Sequence, residues 1–259
     1  MTSFTPFTDV ELDALRRCGV ILSQSLGEVV AAIRPGTATK ELDVIAERAI
    51  RNAGATPSFL KYQGYPASLC VSVNDEVVHG IPTVRRVLRE GDIVGLDLGA
   101  EYHGMYTDMA TTVAVGGPSK EAGQLIEVTR RALTAGLKAI RAGRMTGDIG
   151  AAVQSTVEKD GFGVVRILVG HGVGHRIHEE PLLPNFGARG TGTPLVEGMA
   201  LAVEPMITAG DYAVATDADG WTVRTKDGSL AAHEERTVLV TKRGYEVITP
   251  WDHGKTSRH

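Results

Sequence analysis

Cysteine is scarce in this chain: Cys18 and Cys70 are the only two among 259 residues. Two thiols are too few for a thiolate zinc site, and they are typical of a reducing compartment in which both stay free. No apolar run approaches the roughly 20 residues that cross a bilayer. The N-terminal residues have neither the basic start nor the apolar segment of a secretion signal. We therefore expect a cytoplasmic protein with no membrane partner.

Positive charge is not in excess either, because 31 acidic residues outnumber 27 basic ones and give a net charge of −4. Such a balance gives no reason to expect direct recognition of nucleic acid. The hydrophobic content of 42% and the charged content of 22% are ordinary for a globular protein. No low-complexity linker divides the chain, so we predict a single domain over residues 1–259 that is frayed only at residues 254–259.

A sequence of two predicted helices followed by several predicted strands occurs twice along the chain. Thr8 and Glu11 have the spacing of a capping box that begins a first helix, and Pro35 with Gly36 should end it. A second helix and several short strands follow, and then two helices and several strands occur again. This order predicts an α+β fold with two related halves, although the residues themselves do not repeat. The predicted helices cover residues 8–34, 39–52, 119–141 and 146–159, and the predicted strands cover residues 69–73, 93–98, 109–115, 164–169, 199–204, 221–225, 236–241 and 245–248.

Four carboxylates and one imidazole stand in apolar or glycine-rich stretches where a lone charge is costly. These residues are Asp97, Asp108, His171, Glu204 and Glu235. Buried acids of this kind usually share a cation, and about four negative charges need two divalent ions rather than one. Oxygen ligands with one imidazole suit Mn, Fe, Co or Zn in an open, reactive site. We therefore predict a metal enzyme, although each acid taken alone is compatible with a surface or capping role.

The placement of these acids leaves one choice open. Asp97 and Asp108 are separated by a turn-rich stretch between two strand-like segments, so a hairpin or bend brings both to the same end of a sheet. Glu234 and Glu235 are adjacent, and only one of them faces the site from a strand. Periodicity alone does not choose between these two glutamates.

Histidines near the acids are candidates for metal binding or proton transfer. His171 and His175 have the four-residue spacing of a helical zinc pair, but the two glycines between them argue against a helix. His79 and His178 are candidates for proton handling, since imidazole titrates near neutral pH. A lone histidine is more often structural, and the predicted metal site is what favours a catalytic role here.

Short motifs lie along nearly the whole chain. They are Gly64-Tyr-Pro66, Ser72-Val-Asn74, His79-Gly-Ile-Pro82, Gly91-Asp-Ile93, Asp97, Thr107-Asp108, Gly170-His-Gly-Val-Gly174, His178-Glu-Glu-Pro181, Val203-Glu-Pro-Met206 and Glu235-Arg-Thr237. Each motif is weak alone, but their order and spacing together are specific. Together they resemble the motifs of the type I methionine aminopeptidases, which remove the initiator methionine from new polypeptides.

The resemblance implies the pita-bread fold of creatinases and aminopeptidases, with two pseudo-symmetric halves around a central curved antiparallel sheet. It also implies two divalent metal ions, Co, Mn, Fe or Zn, at the centre of that fold. By this match Asp108 and Glu235 bridge both ions, Asp97 chelates one ion, and His171 with Glu204 completes the other. The match thus favours Glu235 over its neighbour.

The resemblance also implies a mechanism and a substrate. A metal-bound water attacks the scissile carbonyl, Glu204 accepts its proton, His178 hydrogen-bonds the tetrahedral centre and His79 contacts the peptide near the departing amine. The substrate is the N-terminal methionine of a nascent peptide, with a small second residue. A monomer that associates transiently with the ribosome is a further hypothesis. The expected methionine pocket comprises Phe59, Tyr62, Tyr65, Cys70, His79, Ile177, His178 and Trp221, of which Tyr65 and Cys70 are also compatible with a core role.

Three residues depart from the pattern that the resemblance leads one to expect. Ile177 stands at a commonly aromatic position, Phe59 stands where a smaller residue is frequent, and Arg236 stands where a small or imidazole side chain is common. The first two changes offset one another in volume, so we expect methionine specificity to persist with an altered fit of inhibitors. The motifs begin near the N-terminus without a zinc-binding extension or the type II insertion, which favours a bacterial housekeeping form.

Two alternatives stay open on the sequence alone. A Pro-specific peptidase of the same fold is the nearest, because the segment from His171 to His175 is similar in that group. The segment His178-Glu-Glu-Pro181 and the absence of a large N-terminal domain favour the methionine enzyme instead. The other alternative is a non-catalytic binding protein of this fold, but such relatives typically lose metal ligands that this chain keeps.

Overall fold

This computed structural model describes residues 4–252. They contain four α-helices, one short 3-10 helix at Tyr62–Gly64 and fifteen mostly short strands, joined by turns and loops. The predicted frayed end, residues 254–259, lies outside the described residues. The helices are α1 Asp9–Ala31, α2 Thr39–Asn52, α3 Lys120–Lys138 and α4 Thr146–Glu158. The strands are β1 Thr56–Pro57, β2 Leu69–Val73, β3 Glu76–Val78, β4 Ile93–Tyr102, β5 Met105–Ala114, β6 Gly163–Val164, β7 Gly170–Gly172, β8 Glu179–Leu183, β9 Ala200–Val203, β10 Met206–Thr208, β11 Val214–Thr216, β12 Val223–Thr225, β13 Ala231–His233, β14 Arg236–Val240 and β15 Tyr245–Val247.

The four predicted helices are all present, and local capping explains where α1 begins. The Glu11 amide donates to the Thr8 hydroxyl over 3.3 Å, and the Thr8 amide donates to Glu11 Oε2 over 2.7 Å. α1 ends at Ala31 rather than near residue 34, because the residue before Pro35 is restricted away from helical geometry. None of the helices within residues 4–252 is long and apolar enough to cross a membrane.

The longest strands, β4 and β5, form the predicted hairpin. Their antiparallel register runs from Ile93 opposite Ala114 to Tyr102 opposite Met105. The two-residue turn at His103-Gly104 has positive φ at both positions, as a tight hairpin that follows strand twist requires. The hairpin places Asp97 opposite Ala110 and Asp108 opposite Gly99, so both aspartates lie at the same level of the sheet.

Each half of the molecule packs a pair of helices against its own sheet. In the first half, α1 and α2 lie against β2, β4 and β5, and Leu22 shares an apolar cluster with Leu96. In the second half, α3 and α4 pack on each other, and Val128 of α3 shares a cluster with Ile207 of β10. A five-stranded sheet in the order β15–β14–β9–β7–β8 completes the second half. The predicted α+β architecture is therefore confirmed.

The two halves meet along a line that we call the seam, formed by residues 108–112 of β5 and residues 233–237. At one end the Asp108 amide donates to the Thr237 hydroxyl over 3.0 Å, and that hydroxyl donates to the Asp108 carbonyl over 2.8 Å. These bonds hold the strand that carries Asp108 beside the segment that carries the adjacent glutamates. The seam continues with hydrogen bonds from Glu235 N to Ala110 O (2.9 Å), from His233 N to Thr112 Oγ1 (2.8 Å) and from Thr112 Oγ1 to His233 O (2.8 Å).

Several short strands escape the sequence prediction, namely β1, β3, β7, β8, β10, β11 and β13. They are two to five residues long, which is too short for an alternating pattern to mark them, and β7 consists of two glycines around a histidine. The strand predicted over residues 164–169 is wrong beyond Val164, where the chain leaves the sheet. The strand predicted over residues 221–225 begins only at Val223, because Trp221 lies in the preceding turn.

A pair of glycines on α1 tests how closely this helix packs. A Cβ at Gly19 would lie 2.0 Å from the Ile248 carbonyl oxygen, whereas one at Gly27 would meet only Trp251 at 3.9 Å. We expect Gly19→Ala to lower the free energy of unfolding by about 1–3 kcal/mol, because a backbone atom must move. Gly27→Ala serves as the control and should leave it unchanged or raise it by up to about 1 kcal/mol. Urea unfolding measures both, and equal stabilities would contradict this close approach.

Candidate active site

The five predicted metal ligands converge in one cavity of about 180 Å³. Asp97 lies on β4, Asp108 on β5 and His171 on β7, while Glu204 directly follows β9 and Glu235 directly precedes β14. His171 Nε2 lies 3.4 Å from Glu204 Oε1 and 3.9 Å from Asp108 Oδ2. Candidate ligand atoms of Asp97, Asp108 and Glu235 lie within 4.8 Å of one another, as do those of His171, Glu204 and Glu235. Residues from both halves thus share one site.

Three carboxylate oxygens in this cavity are buried without a hydrogen-bond partner among the described residues: Asp97 Oδ1, Asp108 Oδ1 and Glu235 Oε1. Burial raises the pKa of Asp97 to about 7. Burial, and then repulsion from neighbouring acids, raises three more pKa values well above the ordinary range, those of Asp108, Glu204 and Glu235. A divalent cation would give the unpaired oxygens a partner and would reduce the repulsion between the acids, so the donor set fits a metal site.

The tautomer of His171 follows from its hydrogen bond. Its Nδ1 lies 2.8 Å from the Gly172 carbonyl oxygen, which can only accept, so Nδ1 carries the proton. Its Nε2 is then the lone-pair donor that faces Glu204 and Asp108. Burial, with repulsion from His178, lowers the pKa of His171 to about 3, which keeps the ring neutral at pH 7. A neutral imidazole held by a backbone carbonyl is the form that binds a metal.

His178 and His79 lie on the wall of the same cavity. His178 Nδ1 is 3.0 Å from the Tyr62 hydroxyl, and its ring packs against that of His171 with centroids 4.4 Å apart. His79 has a positive φ of 58°, in the left-handed region that few residues other than glycine adopt, and its ring meets Trp221 edge-on at 6.3 Å. Burial lowers the pKa of both imidazoles, and His178 lowers that of His79 further by repulsion.

Aromatic side chains form the apolar wall of the cavity. Tyr65 is buried and meets Trp221 edge-on with centroids 5.1 Å apart, and its hydroxyl donates to the Gly80 carbonyl over 3.0 Å. Cys70 is buried beside Tyr65, in a free thiol form. Of the predicted pocket residues, the cavity is lined by Phe59, Tyr62, Tyr65, Cys70, His79, His178 and Trp221, while Ile177 lies in the same apolar cluster behind them.

Sequence reasoning missed three residues that contact the site. His233 is buried with its Nε2 3.7 Å from Glu204 Oε2, and this nitrogen finds no hydrogen-bond partner among residues 4–252. The Asn185 amide donates to the Glu204 backbone carbonyl over 2.9 Å. Gln63, with a positive φ of 48°, lines the cavity beside Tyr62. His233 precedes two glutamates, which was a usable signal, but no local pattern marks Asn185 or Gln63.

Comparison with known proteins identifies the family. The model of metallopeptidase family M24 matches residues 13–242. The chain belongs to metallopeptidase family M24. Within it, a methionine aminopeptidase of Clostridium acetobutylicum is 47% identical over 242 residues, covering 93% of this chain and 96% of that protein. Methionine aminopeptidase 1 of Bacillus subtilis is 46% identical over 242 residues, covering 93% of this chain and 97% of that protein. The resemblance to methionine aminopeptidases is confirmed.

Solved structures show the same relationship. The crystal structure of methionine aminopeptidase from Thermotoga maritima has a TM-score of 0.94 at 42% identity, covering 95% of this chain and 99% of that chain. The prolidase from Pyrococcus furiosus has a TM-score of 0.79 at 22% identity, covering 96% of this chain and 66% of that chain, and it shares the fold alone. The expected pita-bread fold of this M24 chain is therefore confirmed.

Two of the departures in this M24 chain meet at one point of the pocket wall. A Cβ at Gly99 of β4 would lie 2.8 Å from Phe59 Cε1 and 3.1 Å from Ile177 Cδ1. Both side chains therefore pack over the same glycine, which has no Cβ to displace them. This contact supports the hypothesis that the two departures compensate in volume.

The raised pKa of Asp97 predicts a pH-dependent effect of its removal from the metal-free M24 protein. Because folding raises this pKa from 3.8 to about 7, the unfolded chain releases the proton first, and the residue disfavours folding increasingly across that window. We expect metal-free Asp97→Asn to match the wild type near pH 4 and to exceed its free energy of unfolding by at least about 1 kcal/mol near pH 7. Thermal unfolding at several pH values measures this difference.

Added Mn²⁺ provides the second arm of that experiment. It should stabilise the wild type more than Asp97→Asn, because an amide replaces one carboxylate of the donor set. A difference between the two metal-free proteins that shrinks as pH rises would contradict the assigned direction. Equal stabilisation of both by Mn²⁺ would contradict a metal role for Asp97.

Proposed function

We propose that this chain is a metalloaminopeptidase that removes the N-terminal initiator methionine from nascent polypeptides. The observation that carries the proposal is the convergence of four acids and one neutral imidazole beside a largely aromatic cavity. The relatives named methionine aminopeptidase match this chain over more than nine tenths of its length, which supports the same activity. A preference for a small second residue belongs to the same proposal.

The metal donors of this proposal are Asp97, Asp108, His171, Glu204 and Glu235. These residues would hold two divalent ions, Mn, Fe, Co or Zn, because oxygen donors and one imidazole suit all four metals. When bound, such ions supply a reactive water at neutral pH and polarise a peptide carbonyl. The three unpaired carboxylate oxygens support this assignment, since the protein itself gives them no partner within residues 4–252.

Glu204 is the proposed general base. Its carboxylate is partly open to the cavity, at 14% exposure, so one of its oxygens can reach a water held among the donors. In this proposal a Glu204 oxygen takes the proton of the attacking water and delivers it to the departing amine. Asn185 holds the backbone of this residue, so the carboxylate keeps its place while the proton moves.

The two cavity histidines are proposed to orient the peptide. Tyr62 engages Nδ1 of His178, which leaves Nε2 to hydrogen-bond the carbonyl oxygen as its negative charge develops. His79 is proposed to contact the peptide nitrogen near the bond that breaks. Its lowered pKa keeps the ring neutral at pH 7, so it can either donate or accept a hydrogen bond there.

The methionine side chain is proposed to enter the apolar end of the cavity. A thioether packs favourably against ring edges, and Tyr65 with Trp221 supplies a pair of aromatic rings there. Phe59, Tyr62 and Cys70 supply the remaining contacts, with Ile177 behind them. The polar donors and this apolar wall meet in one cavity, as the recognition of an N-terminal methionine requires.

The proposal also covers the cellular compartment, the oligomeric state and the contact with the ribosome. Cys18 and Cys70 are both buried free thiols, which supports action in a reducing cytoplasm. We propose a monomer that reaches its substrate as nascent chains leave the ribosome, through a transient contact.

A Pro-specific peptidase is the competing function with an observation in its favour. An Xaa-Pro dipeptidase from Bacillus anthracis has a TM-score of 0.78 at 28% identity, but this chain covers only 63% of it. The methionine aminopeptidase of Clostridium acetobutylicum is matched over 96% of its length at 47% identity. The methionine activity is therefore the better-supported proposal. A binding protein without activity is less supported, because all five candidate ligands lie together.

Substrate cleavage with Mn²⁺ tests the proposal directly. We expect the peptide Met-Ala-Ser to be cleaved, with little cleavage of Leu-Ala-Ser or of an Xaa-Pro peptide. Asp108→Ala should reduce kcat by more than about 100-fold, because it removes the carboxylate between the two sets of donors. Asp160→Asn, which changes a surface aspartate paired with Arg131, is the control and should keep full activity. Preferential cleavage of the Xaa-Pro peptide would favour the competing function.

Trp221 tests the proposed pocket separately from the chemistry. We expect Trp221→Ala to raise KM for Met-Ala-Ser by roughly 10-fold while kcat changes less, because it removes apolar contact rather than a reacting group. Trp251→Ala is the matched control, since this second tryptophan packs against the first core cluster away from the cavity and should leave KM unchanged. Steady-state kinetics measures both variants, and an unchanged KM in Trp221→Ala would remove this residue from the pocket.

A further inference from the structure

Two adjacent glutamates on the seam are both buried, yet only one belongs to the candidate metal site. Glu234 is fully buried and Glu235 is 2% exposed. Glu235 lines the cavity, whereas Glu234 lies on the opposite face of the same segment, as alternation along an extended chain requires. Since both are carboxylates of the same length, something other than side-chain chemistry decides which one faces the metal donors.

Three elements hold the carboxylate of Glu234. Its Oε1 accepts hydrogen bonds from the Thr111 hydroxyl of β5 over 2.9 Å and from Arg130 Nε of α3 over 3.2 Å. Its Oε2 lies 3.5 Å from Nη2 of Arg236, at the start of β14. A buried carboxylate is costly without a partner, and this one is shared between two guanidinium groups.

Arg236 also holds the backbone that carries Glu235. Its Nη1 donates to the Glu235 carbonyl and, over 2.9 Å, to the Ala110 carbonyl of β5. The Glu235 amide donates to the same Ala110 carbonyl over 2.9 Å. One buried guanidinium therefore joins Glu234, the backbone of Glu235 and the strand that carries Asp108. Arginine suits this place because its planar fork makes several bonds in fixed directions.

A shift of one residue along this segment would exchange the faces of the two glutamates. Depending on its direction, the shift would put Glu234 in the place of Glu235 in the metal site, or Glu235 in the place of Glu234 beside Arg130 and Thr111. Because a carboxylate fits either environment, the chemistry of these two side chains alone does not discriminate between the registers. The arginines do discriminate. Arg130 lies on α3 and stays in place, so it stabilises a carboxylate on its own face, and Arg236 reaches both Glu234 and the Ala110 carbonyl only from that same face.

We propose that Arg130 and Arg236 act together as a selector, which captures Glu234 on the far face of the seam and thereby positions Glu235 as a metal ligand. The inference rests on the proposed function, because it takes Glu235 to be a ligand. Both arginines are positioning residues, since neither lines the cavity. The departure at position 236 has a role in this view, because in this chain Arg236 lies against the carboxylate of Glu234.

Mn²⁺ binding to the full chain tests the selector. We expect calorimetry to show two Mn²⁺ ions on the wild type, and at least about 10-fold weaker binding of one of them in both Arg130→Gln and Arg236→Met. The kcat for Met-Ala-Ser should fall by a similar factor while KM stays within twofold. Arg131→Gln is the matched control, because Arg131 neighbours Arg130 on α3 but pairs with Asp160 at the surface, and it should bind Mn²⁺ like the wild type.

A double variant separates selection from mere support of the fold. In Glu234→Gln/Arg130→Gln the competing carboxylate is gone while Arg236 still holds the Glu235 backbone, so Mn²⁺ affinity should recover to within about threefold of the wild type. A double variant that binds as weakly as Arg130→Gln alone would overturn the selector. If Arg236→Met fails to fold, Arg130→Gln decides, because the Arg130 side chain is 29% exposed and Glu234 keeps Thr111 and Arg236 as partners.

The outcomes also distinguish the selector from the proposed function. Unchanged Mn²⁺ affinity in Arg130→Gln and Arg236→Met, with two ions on the wild type, overturns the selector and leaves the proposed function standing. A wild-type protein that binds no Mn²⁺ overturns both.

Discussion

The hydrogen-bonded contact between β5 and residues 233–237 is the constraint on which the rest of the site depends. Asp97 and Asp108 come from the first half of the molecule, whereas His171, Glu204 and Glu235 come from the second. The reciprocal bonds between Asp108 and the Thr237 hydroxyl set the distance between these groups. Since two of the residues in these bonds use side-chain hydroxyls, Thr112 and Thr237, the bonds fix the register of the two halves as well as their contact.

Buried charge is stabilised in two different ways on the two faces of the seam. On the cavity face, oxygens of Asp97, Asp108 and Glu235 have no hydrogen-bond partner within the described residues, so the protein leaves their charge for a bound cation to balance. On the other face, Glu234 is balanced by Arg130 and Arg236 from the chain itself. Adjacent residues of one type thus have opposite roles because their surroundings differ.

The helices and the β4–β5 hairpin were largely predictable because their signals are local. The capping box, the prolines and the apolar spacing all act within a few residues. The short strands β7 and β13 were not predictable, since each is defined by the strands beside it rather than by its own residues. The same holds in the site: Asn185 and His233 reach Glu204 only through the packing of distant segments.

The sequence by itself determined the types of donor, their likeness to the methionine aminopeptidases and the membership of family M24, because these depend on residue identity and order. The resemblance already favoured Glu235 over Glu234, but only the tertiary structure decided what surrounds each donor. It turned Glu234 away from the cavity, brought Phe59 and Ile177 together over Gly99, and set His233 beside Glu204. These placements depend on contacts between residues far apart in the chain. A local sequence pattern does not show which distant residues will meet, so it cannot predict such contacts.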